Sequence, residues 1–79
     1  MARQDRQVDE WIGDWLLDAL GTPAGLYQVQ VRRLWGQHYR VNVLVGSDAA
    51  SAKVADSFFL RADVEGQVVS STPAVARRY

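Results

Sequence analysis

From Val8 to Leu20 the apolar residues Val8, Trp11, Ile12, Trp15, Leu16, Ala19 and Leu20 recur at helical spacing, while Asp9, Glu10, Gly13, Asp14 and Asp18 fall on the other side. The pattern predicts an amphipathic helix over residues 6–20 that lays one wide stripe, two indoles included, on something apolar. Gly21 can take the left-handed backbone that closes a helix, and Pro23 cannot continue one, so both signals stop it at Leu20. Asp5 is the candidate cap at the other end.

The period then changes to two. Tyr27, Val29, Val31 and Trp35 alternate with Gln28, Gln30, Arg32 and Leu34, which predicts a half-buried strand over 26–35. After Gly36 the alternation resumes over 39–46, with Tyr39, Val41, Val43 and Val45 on one face and His38, Arg40, Asn42 and Leu44 on the other. A two-residue Gly36-Gln37 loop would set Val31 opposite Asn42 and put the two apolar sets on opposite faces, which burial disfavours. An odd loop or a bulge is expected instead, setting Val31 against Val41 or Val43.

Residues 46–53 are small and polar and read as a connector, with room for one helical turn capped by Ser47 or Asp48. Strand character returns over 54–62, where Phe58, Leu60 and Ala62 share one face and Ser57, Phe59 and Arg61 the other. Asp63 to Gly66 makes a turn and a last strand runs over 67–72, with Ala62 opposite Gln67 and Leu60 opposite Val69. Pro73 ends it, leaving 73–79 as a tail with no element of its own and open to disorder.

The order α-β-β-β-β predicts a single α+β domain over residues 1–79, with the N-terminal helix packed on one face of a four-stranded antiparallel meander. A chain this short buries only about 60 to 65 per cent of its unfolded surface, so each large apolar side chain counts. The order resembles the cystatin-like layout, in which a helix is cradled by an antiparallel sheet. The inhibitory strand of cystatins reads Gln-x-Val-x-Gly, whereas Gln28, Val29, Gln30, Val31 and Arg32 supply neither valine at the third place nor glycine at the fifth. The resemblance is one of layout, and protease inhibition does not follow from it.

Nine basic and nine acidic residues cancel, which removes the long-range field that draws a protein to nucleic acid or anionic lipid and leaves only local patches. No apolar run is long enough to span a bilayer and no signal-like apolar segment follows Arg3, Asp5 and Arg6, so no membrane partner and a cytoplasmic location are expected. With no cysteine there are no disulfides, thiolate metal sites or cysteine nucleophiles. His38 is the only histidine and reads as an exposed turn residue. Asp48, Asp56, Asp63 and Glu65 lie in or beside separate turns without the spacing of a calcium loop, and no serine has a nucleophile-elbow context. No catalytic residue, metal site or cofactor is expected, and the chain does not read as an enzyme.

Trp11, Trp15, Tyr27, Trp35, Tyr39 and Phe58 all fall on the expected core side, and on that placement Trp15→Ala costs roughly 3 to 5 kcal/mol. The opposite face of the sheet remains, presenting Arg32, Leu34, Arg40, Asn42, Leu44, Phe59 and Arg61 together with Gln28 and Gln30. Between residues 26 and 61 Arg32, Arg33, Arg40, Lys53 and Arg61 outweigh Asp48 and Asp56, a net +3; before residue 26 Arg3 and Arg6 face Asp5, Asp9, Glu10, Asp14 and Asp18, a net −3. An acidic helix side and a basic sheet side suit a protein-interaction module that binds a partner protein or a second copy of itself, using arginine beside exposed leucine and phenylalanine and the free amides of edge strands. The alternative is a weak single-stranded nucleic-acid binder, with Phe59 for stacking and Arg32, Arg40 and Arg61 for phosphates.

Overall fold

The computed structural model describes residues 2–79, with side chains from Gln7 onward. One helix, α1 (Ala2–Leu20), is followed by β1 (Leu26–Trp35), β2 (His38–Val45), β3 (Lys53–Ala62) and β4 (Val68–Thr72) in a single antiparallel sheet of order β1-β2-β3-β4. The expected α+β layout of a helix followed by a four-stranded meander is therefore observed. The shortest dimension is 17 Å, which is one helix on one sheet. Among the described residues no helix is long and apolar enough to cross a membrane.

The core is narrower than the apolar stripe suggests. Ile12, Leu16 and Leu20, spaced by four, are buried against Tyr39, Val41, Val43, Phe58, Leu60 and Ala62 of the two central strands, with Val8, Val29 and Val31 packed at the margins. Trp11 and Trp15 stay 44% and 36% exposed, Tyr27 42% and Trp35 59%, so four of the six aromatics expected in the core lie at its edge or outside it. The reason is a rotation of the helix: Gly13, expected on the polar side, faces β1, where a Cβ would meet Val29 Cγ1 and Val31 Cγ2 at 3.8 Å. With that side against β1, the Ile12–Leu16–Leu20 line points down and the indoles move to the far flank. There Trp11 covers Gly66 so closely that a Cβ on that glycine would lie 2.6 Å from Trp11 Cε3.

The helix begins at Ala2, before Asp5, so Asp5 lies inside it and is not its cap; the Asp5 side chain is outside those described. It ends at Leu20 as expected, with Gly21 at φ +93° donating its N–H to Leu17 O at 2.8 Å. The connector 46–52 forms a turn and not a helix: Asp48 Oδ1 accepts the Ser51 N–H at 2.9 Å. In the β3–β4 turn Asp63 Oδ1 accepts the N–H groups of Glu65 and Gln67, both at 2.9 Å. That hairpin is shifted from the expected register. Ala62 pairs with Val68 and Leu60 with Ser71, because Val69 is an extra residue opposite the Arg61–Ala62 step.

Residues 73–79 form no helix or strand, yet they are tied to the end of α1: the Arg78 and Tyr79 N–H groups both donate to Leu20 O, at 2.8 and 3.0 Å. Asp56, expected beside a turn, lies within β3, where it pairs with Arg78 and accepts the Tyr79 hydroxyl at 2.7 Å. That hydrogen bond to Asp56, followed by burial and the Asp56 charge, raises the Tyr79 phenol above its usual range.

Candidate functional site: the uncovered face of the sheet

Helix α1 covers one face of the sheet and nothing in the described chain covers the other. Strand alternation decides what that second face carries. Gln28, Gln30 and Arg32 of β1 pair with Leu44, Asn42 and Arg40 of β2, and Arg40, Asn42 and His38 pair in turn with Phe59, Ser57 and Arg61 of β3. All of these alternate with the buried set of Tyr39, Val41, Val43, Phe58 and Leu60. Ser70 and Thr72 of β4 complete the face opposite Arg61 and Phe59.

The first hairpin adds a residue that alternation misassigned. Val29 and Val31 pair with Val43 and Val41, and Arg33 with Tyr39, so the apolar sets agree as burial requires. The next pair is Trp35 with His38, which leaves Leu34 as an extra residue and closes the hairpin on the two residues Gly36 and Gln37. The bulge that was one of the two expected solutions is thus the one used. The Arg33 Nε–H donates to Gly36 O at 2.7 Å, and the Ala62 N–H donates to Gln37 O at 2.9 Å, so the turn is held from both sides. One inserted residue moves everything after it to the other face. Trp35 therefore leaves the core side and joins His38 and Phe59.

These three rings form one cluster. Trp35 and His38 stack with centroids 4.9 Å apart, His38 and Phe59 at 5.7 Å, and Trp35 and Phe59 lie 5.9 Å apart and tilted by 41°. The Arg40 guanidinium carbon lies 5.9 Å from the Phe59 centroid, within range of a cation–π contact, and Arg40 Nη1 donates to Ser57 Oγ at 3.4 Å. Ser57 passes its own hydroxyl proton to Asn42 Oδ1 at 2.7 Å. His38, expected as an exposed turn residue, is half-buried between its two neighbours, and its Nδ1 is buried without a hydrogen-bond partner. Phe59 is also half-buried, which leaves Trp35 as the open end of the cluster.

Of the residues expected to act together, Arg32, Leu34, Arg40, Asn42, Leu44, Phe59 and Arg61, the structure brings Arg40, Asn42, Phe59 and Arg61 into one contiguous patch with Arg32 beside it. Leu34 is 39% exposed at the bulge, and Leu44 sits toward the opposite end of β2 beside Val54. Trp35 belongs to the patch and the alternation rule missed it, whereas the rule placed His38 on this face without its ring contacts; the conflict between a two-residue loop and the burial pattern was the signal that a face change was due. None of the paired strand residues on this face is a carboxylate. The acids Asp9, Glu10 and Asp14 of α1 line an open trough of about 960 Å³ together with Arg32 and Leu34 of β1 and Arg40 and Asn42 of β2. No group of three or more His, Asp or Glu side chains able to hold a metal ion occurs among the described residues. Comparison of the chain with protein-family models, with curated proteins and with solved structures finds no match.

Proposed function

We propose that this chain is a non-enzymatic interaction module whose working surface is the face of the sheet left uncovered by α1. The observation that carries the reading is the cluster of Trp35, His38 and Phe59 on the same sheet face as Arg32, Arg40 and Arg61. An exposed tryptophan beside arginine has the composition of an interface centre, and strands whose charged side chains on this face are all arginine suit an anionic partner. A cytoplasmic protein or a second copy of the chain fits that description, since the net −3 of the residues before position 26 gives each molecule an acidic side for the basic side of another.

The test is site-specific crosslinking in cells. A photo-reactive residue in place of Ser70, exposed opposite Arg61, is expected to capture a partner, and one in place of Asp18 on the helix back is not. Adducts from position 18 alone would move the working surface to the helix. For the self-associating version, both positions crosslink, and light scattering shows a mass that falls with dilution and with added salt.

A further inference from the structure

We infer that the uncovered face takes single-stranded nucleic acid, with Trp35 as the base-stacking residue and Arg32, Arg40 and Arg61 as phosphate contacts. The inference rests on the reading of this face as the working surface and puts a nucleic-acid strand, not a protein, on it.

Three observations converge on it. Arg32 and Arg40 stand directly opposite each other across β1 and β2, and like charges in that position destabilise a sheet unless an anion lies between them. Arg61, one strand further and paired with His38, extends the positive track across the sheet. Beside the track lies a ring cluster of which Trp35 is 59% exposed while Phe59 is half-covered by His38 and Arg40, so the indole is what a base can reach. A planar group spaced between negative charges is the chemistry of an unpaired nucleotide strand. A duplex keeps its base faces stacked on one another and cannot offer them to an indole on a sheet.

Zero net charge does not oppose this. Of the three arginines, Arg32 and Arg40 share the trough with Asp9, Glu10 and Asp14, and Arg61 lies outside its lining, so Arg61 is the one whose charge the helix acids offset least. Glu10 and Asp14 at the β1 margin do reach the trough, and they bias the phosphate path from Arg40 toward Arg61 and away from that edge.

The experiment is fluorescence anisotropy of labelled single strands of about eight nucleotides, within the site sizes that sheet platforms cover, against the full chain at low salt. Expected are binding that weakens with salt, little affinity for the same sequence as a duplex, and a loss of about 5- to 150-fold in Trp35→Ala, the equivalent of one lost base stack. Arg40→Ala lowers the salt slope by about one. An unchanged melting temperature shows that each variant is folded. No binding at low salt, equal binding of duplex, or full affinity in folded Trp35→Ala overturns the inference. A polyglutamate peptide run in parallel separates the two levels. If it binds and Arg40→Ala abolishes that binding while oligonucleotides fail, the surface stands with an acidic protein as its partner. If neither probe binds and light scattering shows a monomer at every concentration, the surface reading falls as well.

Discussion

The two faces of the sheet are made by alternate residues of the same strands, and they differ in what holds them. On the covered face Val41, Val43, Leu60 and Ala62 are fully excluded from water by Ile12, Leu16 and Leu20. On the uncovered face the neighbouring residues Arg40, Asn42, Ser57, Phe59 and His38 rest on one another through a cation–π contact, a hydroxyl bridge and stacked rings. Burial of apolar area supplies folding free energy in proportion to area, whereas exposed polar and ring contacts contribute little to it. The covered face can therefore carry the fold while the uncovered face is free to carry recognition.

The sharpest way to break that division is to cut the lid. Leu16→Ala removes a side chain with no solvent exposure and is expected to cost about 2 to 5 kcal/mol, read as a lower urea midpoint. Trp15 is the intermediate case. Because its indole is 36% exposed, Trp15→Ala is expected to cost about 1 to 2 kcal/mol and not the larger value that a core position implies. Trp35→Ala, on the other face, should cost only about 0.5 to 1.5 kcal/mol, the worth of its ring contacts. If Trp35→Ala were as damaging as Leu16→Ala, the two faces would not be divided as described.

The smallest effect lies outside both faces. Asp48 is held below the ordinary carboxylate value of 3.8, first by the Ser51 N–H and then by the Ser51 hydroxyl. A carboxylate whose folded pKa is depressed adds stability that is present above the unfolded value and is lost as pH falls through the folded one. Asp48→Asn should therefore narrow the stability difference between neutral pH and pH below 3.8, while the wild-type chain shows the full acid loss. The site is exposed, so the change is expected to be slight beside the loss from Leu16→Ala.

The element order was readable because each segment keeps one period for most of its length and is closed by a residue with a stereochemical reason to close it. Gly21 ends the helix, Gly36 sits in the first hairpin turn, and Pro73, with no N–H to give, follows the last strand. What was not readable depends on a single inserted residue or a small rotation. An alternating run through Leu34 and Trp35 looks the same with or without a bulge, and only pairing with β2 reveals that Trp35 changes face. The same holds for Val69, whose insertion shifts the last hairpin. The helix stripe was too wide to fix its own orientation, since seven apolar positions allow several centre lines; the close approach of Gly13 to Val29 and Val31 selects Ile12, Leu16 and Leu20. Asp56 could not be placed because its partners, Arg78 and Tyr79, lie more than twenty residues away in sequence.

The central claim is that recognition belongs to the uncovered face, and amide chemical-shift mapping during titration with a single-stranded oligonucleotide tests it most directly. Shifts are expected to concentrate at Arg32, Trp35, His38, Arg40, Phe59 and Arg61, with Asp18 unmoved. Saturable shifts centred on α1, with the sheet amides unchanged, would contradict it.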